Sequence, residues 1–209
     1  LSMPENLHKL FVISSPSGGG KTSLINKVFE DSRSANFEKS ISDTSRQKRQ
    51  GDLEGKDYYF LSEKDFKEKI KKEEYVEYAT VFGNFYGTSK EEIKTKYNNS
   101  NLILELDWQG AYAVKEIFDD AKLIFLVPPS LDDLKQRLIK RNLDSSEAIE
   151  SRLSEAKKEI SKSEMYDYLV LNDDFDKAFE DLSQILFEGI SPIDFNSRAS
   201  KDLIKRLVE

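Results

Sequence analysis

The sequence predicts an α/β protein, a parallel sheet flanked by helices, with a smaller mostly β insertion in its middle. Three observations point there. Four short apolar runs, Leu10–Ser14, Leu102–Leu106, Lys122–Val127 and Tyr168–Leu171, have the length and content of buried strands. Helical patterns separate them, and strands alternating with helices imply a parallel sheet covered on both faces. From Phe37 to about Thr88 the composition shifts to Tyr, Phe, Ser and Thr with strand-like alternation, as in Tyr75-Val76-Glu77-Tyr78-Ala79.

Leu10–Ser14 ends in a Ser/Pro/Gly cluster, so it reads as a buried strand feeding a loop. Thr22–Glu30 follows with Leu24, Ile25, Val28 and Phe29 on one helical side. A short charged helix near Glu63–Lys72 interrupts the β-rich middle. Further helices are expected at about Gly110–Phe118, Leu131–Arg141, Ser145–Ser163 and Asp174–Glu188. The tail Ile190–Glu209 has a helical pattern in Leu203, Ile204 and Leu207, with no role legible in it. No internal repeat or low-complexity linker is visible.

A chain of 209 residues suits one compact domain with an inserted sub-domain, and it can bury a core without disulfide or metal staples. Charged residues make up 34% and the apolar set 38%, as in a soluble globular protein. The absence of cysteine excludes thiol catalysis and Cys-based zinc sites and fits a reducing compartment. No apolar run approaches the roughly 18 residues of a membrane span, and no signal-peptide pattern is present. Leu1-Ser2 reads as an addition ahead of a natural start at Met3, and the expected location is the cytoplasm. A net charge of −7 argues against nucleic acid as a partner. An acidic protein that handles phosphate must gather its positive charge locally, so the positions of Arg and Lys matter more than their number.

Ser15-Pro16-Ser17-Gly18-Gly19-Gly20-Lys21-Thr22 lies between the first strand and the first helix. Its spacing is that of the Walker A loop, G-x-x-x-x-G-K-[ST], with Ser15 at the first glycine position. Glycines let successive backbone N–H groups turn inward onto phosphate oxygens, and the helix N-terminus adds its positive dipole end. Lys21 supplies a mobile charge to the β- and γ-phosphates, and the Thr22 hydroxyl is a ligand for Mg²⁺. Ser15 through Thr22, with Ser23, therefore form the candidate ATP site on a P-loop NTPase-type sheet.

Ser42-Asp43-Thr44-Ser45-Arg46-Gln47-Lys48-Arg49-Gln50-Gly51 packs three cations into four residues, and the forks of Arg46 and Arg49 suit a dianionic monophosphate. Alone, such a run reads as a solvated loop. It is followed by Gly55-Lys56-Asp57-Tyr58-Tyr59-Phe60, Glu77-Tyr78-Ala79 and Gly83-Asn84-Phe85-Tyr86-Gly87-Thr88. These four blocks, in this order and spacing, closely resemble the guanylate kinase family. The likeness continues through Leu104–Gly110, Phe125–Ser130, Arg137, Arg141, Arg152 and Asn172-Asp173-Asp174, and spans roughly Lys9 to Glu188.

The resemblance implies transfer of a phosphoryl group from ATP to GMP, with Mg²⁺. It also implies an inserted GMP-binding sub-domain at about 37–99, a helical lid at about 136–163, and a core at about 3–36, 100–135 and 164–190. Beyond these lies the helical tail at about 191–209. Arg46, Arg49, Tyr58 and Tyr86 would hold the GMP phosphate. Ser42, Glu77 and Thr88 would read the base, and Glu105 and Asp107 would lie near the guanine site and the phosphates. Arg137, Arg141 and Arg152 would close over ATP as the lid, and Asn172 would lie near adenine. Lys21, Arg46 and the three lid arginines would carry the catalysis.

The chemistry of the base assignment stands independently. Guanine offers two donors, N1–H and N2–H₂, beside the acceptor O6. The Glu77 carboxylate can accept from both donors while Ser42 or Thr88 donates to O6. Adenine would turn an acceptor toward Glu77, and a buried polar group left unpaired costs about 1–3 kcal/mol. His8 precedes the first strand and has no evident part, and Trp108 reads as a packing aromatic. Two other readings share these features: a kinase for another nucleoside monophosphate, and a non-catalytic guanylate-kinase-like module that binds a protein. Either a monomer or a homodimer is compatible with the sequence.

Overall fold

The computed structural model describes residues 8–81, 83–140, 146–194 and 197–209. In chain order the elements begin β1 (Leu10–Ser14), α1 (Lys21–Glu30), β2 (Phe37–Lys39), β3 (Asp43–Thr44), β4 (Tyr59–Phe60) and α2 (Glu63–Lys71). They continue with β5 (Tyr75–Val81), β6 (Asn84–Ser89), α3 (Lys90–Tyr97), β7 (Asn101–Glu105), α4 (Trp108–Ile117) and β8 (Lys122–Val127). The last are α5 (Leu131–Lys140), α6 (Ser146–Ser161), β9 (Tyr168–Leu171), α7 (Phe175–Ser183) and α8 (Arg198–Val208).

The core sheet runs β2-β7-β1-β8-β9, with every neighbouring pair parallel. Because successive strand residues face opposite sides, β1 feeds two cores. Leu10 and Val12 join α3, α4 and the end of α6 through Ile93, Tyr97, Ala111, Val114 and Ile160. Phe11 and Ile13 join α1 and α7 through Leu24, Ile25, Val28, Ala178 and Leu182. Each Leu, Ile, Val or Phe side chain fully withdrawn from water here contributes roughly 1.5–3 kcal/mol. The central strands are apolar on both sides because helices cover both.

The second sheet, ordered β4-β3-β6-β5, is the insertion. Its β5–β6 and β3–β6 pairs are antiparallel, and its own small core is aromatic. Phe66 of α2 stacks on Tyr75 and on Phe85 at centroid distances of 4.5 and 5.3 Å. Buried Asp43 accepts from Tyr75 Oη at 2.8 Å and pairs with Lys69 at 2.5 Å.

The structure corrects the sequence expectation in two places. The β-rich segment does not begin the insertion at Phe37: Phe37–Lys39 form β2, the edge strand of the core sheet, with Lys39 in register with Ile103. Residues 90–97 carry an additional helix, α3, capped by Ser89, whose hydroxyl accepts from Glu92 N–H at 3.0 Å. The expected helices shift by a residue or two at their ends, as α1 does by starting at Lys21. Arg141, and Asn142–Ser145 of the expected lid connection, lie outside the described residues. The tail is α8, whose Leu207 is buried in the first core and which packs along α6. Lys157 of α6 donates to the Glu209 carbonyl at 2.9 Å. No helix among the described residues is long and apolar enough to cross a membrane.

Candidate functional site

The phosphate loop leaves β1 and ends at the first turn of α1. Gly18 and Gly20 hold φ of +86° and +88°, conformations that side-chain-bearing residues rarely adopt, so the loop can curl. Gly19 N–H donates to the Pro16 carbonyl at 2.8 Å, and a Cβ on Gly19 would sit 2.9 Å from the Ser15 Cβ. Ser15 therefore fills the first-glycine position by packing against Gly19. Lys21 Nζ donates to the Leu106 carbonyl at 3.2 Å, and burial lowers its ammonium pKa even though Glu105, Glu159 and Asp107 pull the other way. Ser17, Thr22 and Ser23 are all more exposed than Ser15.

Thr22 and Glu105 meet where the loop faces the end of β7. The Thr22 hydroxyl donates to Glu105 Oε1 at 2.5 Å, and Lys39 pairs with Oε2 at 2.8 Å. Burial alone would raise the Glu105 carboxyl; the bond from Lys39, reinforced by Thr22 and Lys21, holds it below the usual range. Asp107 has a second role that the sequence reading lacked. It caps α4, accepting from Gly110 N–H at 2.9 Å. Gly110 itself stands 3.2 Å (from an ideal Cβ) from Glu77 Cγ, so a side chain there would crowd the Glu77 side chain.

Glu77 on β5 faces Thr88 on β6 across the antiparallel pair. Thr88 Oγ1 donates to Glu77 Oε1 at 2.6 Å. Burial raises the Glu77 carboxyl, with Asp107 adding to the shift and the Thr88 bonds opposing it. Ser42, Tyr58 and Thr88 line one cavity of about 380 Å³ together with Lys21, Thr22, Lys39 and Glu105. Arg46 stands beside it, its guanidinium 5.4 Å from the Tyr58 ring centre, and Tyr58 meets Tyr86 edge-on at 5.7 Å. Arg46 also pairs with Asp52 Oδ2 at 2.9 Å, and the same oxygen accepts from Arg49 N–H at 2.7 Å. Asp52 thus ties the two arginines to one turn. The Arg49 side chain is exposed and is not among the residues lining this cavity.

A second cavity, of about 330 Å³, is lined by Gly18, Gly20, Ser23, Arg137, Lys140, Asn172, Asp173 and Phe175. Arg137 donates from Nη2 to the Asn172 carbonyl at 2.7 Å. Asn172 is buried, and its amide donates to the Gly19 carbonyl at 2.6 Å. Arg152 lies on α6, outside both sets of lining residues. Glu159, on the same helix, is pushed up to about 7 by burial and by Asp107, with Lys21 opposing.

The structure brings together Lys21, Thr22, Ser42, Tyr58, Thr88 and Glu105 in one cavity, and Ser23, Arg137 and Asn172 in the other. Lys39, Asp52, Phe175 and Glu159 carry no role in the sequence reading. Asp52 directly follows the quoted Ser42–Gly51 block, and its spacing after Arg49 was a usable signal. Lys39 and Phe175 reach their cavities only through the chain's tertiary path.

A glycine-rich loop between a parallel strand and a helix, lining two cavities, is the architecture of a P-loop nucleotide-binding protein. Comparison with known proteins narrows the class. A profile of the guanylate kinase family matches residues 7–189. The guanylate kinase of Wolbachia sp. subsp. Brugia malayi is 45% identical over 184 residues, 87% of this chain and 93% of its own length. That of Hahella chejuensis is 47% identical over 178 residues, 85% of each chain. The crystal structure of guanylate kinase from Anaplasma phagocytophilum superposes with a TM-score of 0.67 at 32% identity, covering 100% of both chains. The chain belongs to the guanylate kinase family.

Proposed function

We propose that this chain transfers the γ-phosphoryl group of ATP to GMP, giving ADP and GDP. The observation that carries the reading is the shared cavity. Lys21 and Thr22 of the phosphate loop line it together with Ser42, Tyr58 and Thr88 of the insertion, so a triphosphate tail and a monophosphate acceptor can meet. Phosphoryl transfer needs no protein nucleophile, because an oxygen of the GMP phosphate attacks the γ-phosphorus in line while ADP leaves. The protein's tasks are alignment, charge neutralisation and exclusion of water.

On the acceptor side, Arg46 and Arg49 clamp the phosphate, with Tyr58 and Tyr86 donating from their hydroxyls. Glu77 accepts from guanine N1–H and N2–H₂. The Thr88 hydroxyl has one proton and directs it at Glu77, which supports a role for Thr88 in orienting the carboxylate and leaves Ser42 as the donor to O6. On the donor side, the loop N–H groups and Lys21 hold the phosphates. Adenine takes the second cavity, where Phe175 offers an apolar wall and Arg137 a cation. Arg137 of α5 and Arg152 of α6, with Arg141, neutralise charge as the lid at about 136–163 closes.

Thr22 fits a magnesium ion shared with the nucleotide. Its hydroxyl proton is given to Glu105, which leaves oxygen lone pairs for a hard cation. Among the described residues no group of three or more His, Cys, Asp or Glu could hold a metal, so one bound here would take most of its ligands from phosphate and water. Magnesium, when bound, offsets phosphate charge. The reading takes the cytoplasm, where both nucleotides are dissolved, as its setting, and one copy or a homodimer as the working form.

A coupled assay with ATP and each nucleoside monophosphate, with and without Mg²⁺, tests the reading. GMP is the expected acceptor; AMP, UMP or dTMP turned over as well as GMP would overturn the base assignment.

A further inference from the structure

Lys39 is held at both ends. Its carbonyl accepts from Lys96 of α3 at 2.8 Å, and the next residue's N–H bonds to the Ile103 carbonyl at 2.9 Å, fixing the backbone at the sheet edge. Its ammonium reaches across to Glu105, two residues beyond Ile103 on β7, at 2.8 Å. The Glu105 side chain is 19% exposed and that of Lys39 37%, so the carboxylate end is shielded while the ammonium keeps partial contact with water. The other carboxylate oxygen takes the Thr22 proton. A chain of three side chains therefore runs from the edge strand to the mouth of the phosphate loop, along the wall of the shared cavity.

We propose that Lys39 is a positioning residue for the metal–nucleotide complex: it locks Glu105 so that Thr22 presents its oxygen lone pairs to a divalent cation at the phosphate loop. The proposal rests on the reading of Thr22 as a magnesium ligand. A hydroxyl has one proton to give, and where that proton points decides where the lone pairs point. With Lys39 removed, Glu105 is left under-neutralised in a shielded place and free to rotate about its own side chain. Thr22 then loses its fixed acceptor. Groups that orient a metal ligand from behind typically change metal affinity by about 10–100-fold when lost.

The test compares Lys39→Met, which keeps the stem and removes the charge, with Lys39→Arg, which keeps the charge. Calorimetry measures ATP binding in Mg²⁺ and in EDTA, and GMP binding separately. Lys39→Met is expected to weaken the gain in ATP affinity that Mg²⁺ confers by about tenfold or more, with metal-free ATP and GMP binding unchanged. Lys39→Arg is expected to restore most of it. In a Glu105→Gln background Lys39→Met should add little, because it acts through Glu105. Lys39→Gln serves in its place should Lys39→Met melt markedly lower than the parent. An unaltered Mg²⁺ gain would overturn the proposal, as would equal weakening of GMP and metal-free ATP, which would make Lys39 a direct phosphate contact or a fold brace. If the parent chain bound Mg²⁺–ATP but phosphorylated no GMP, the proposed reaction would fall while this test stayed readable.

Discussion

The amide of Asn172 donates to the Gly19 carbonyl at 2.6 Å, which ties the end of β9 to the phosphate loop. The fit is close: a Cβ on Gly20 would lie 2.5 Å from Asn172 Nδ2. The Asn172 carbonyl also accepts from Arg137, so one residue braces the loop and orients a cation of the second cavity. Asn172→Ala is expected to raise KM for ATP several-fold, leave KM for GMP nearly unchanged and lower stability by about 1–3 kcal/mol. Steady-state kinetics and denaturant melts check both. Unchanged ATP kinetics would remove Asn172 from the site.

Lys21 is the ammonium of the phosphate loop, and burial weakens its hold on the proton. Lys21→Ala is expected to cut kcat by at least about 10²-fold, the scale of losing one preorganised charge-stabilising donor, while GMP affinity stays nearly intact. Turnover close to that of the parent would refute the loop assignment.

Glu77→Gln replaces an acceptor of two hydrogen bonds with an amide that can accept at one end and donate at the other. KM for GMP should rise by roughly 5- to 150-fold, as expected for about 1–3 kcal/mol, with KM for ATP little changed. Burial raises the Glu77 carboxyl, so the acid limb of kcat/KM for GMP should lie above the ordinary carboxylate range and vanish in the variant. Equal losses for both nucleotides would contradict a base-reading role.

Arg46 is gripped by Asp52 and lies over two aromatic rings, Tyr58 and Phe60. Arg46→Ala should weaken GMP far more than guanosine, and Arg46→Lys should restore little, since an ammonium lacks the planar fork. Binding of both ligands by calorimetry decides it; equal effects on the two would argue against a phosphate contact.

Glu159 is raised from 4.5 to about 7. Below 4.5 the folded and unfolded chains both hold this proton. As pH climbs from 4.5 to about 7 the unfolded chain releases it first, so stability falls through that window, and above it the loss is complete. Thermal melts of Glu159→Gln should show a flatter pH profile there and a higher Tm than the parent at pH ~8. Parallel profiles for the two proteins would show that Glu159 does not titrate in this way.

What the sequence made legible was local. The phosphate loop is eight consecutive residues whose chemistry is read directly, and the strands that carry it are apolar runs of ordinary length. The insertion's ligands became readable only as four blocks in register. What stayed hidden depends on distant pairing. Lys39 finds Glu105 66 positions away, from a three-residue strand too short to show a period. The helix at Lys90–Tyr97 is short and charged on most sides, with Ile93 and Tyr97 its buried residues, so periodicity gave it no voice. Asn172 reads as a polar residue after a strand, and only the crossing of β9 beside the loop shows what its amide does.

The tail helix, which lies beyond the 7–189 span of the family profile, leans on α6, the helix that carries Arg152 and Glu159. Any tilt of α6 over a bound nucleotide must therefore be felt by α8, whose outer face, including Lys201, is solvent-facing. A fluorophore on that face would act as a strain gauge, converting any such tilt into an optical signal without touching a substrate.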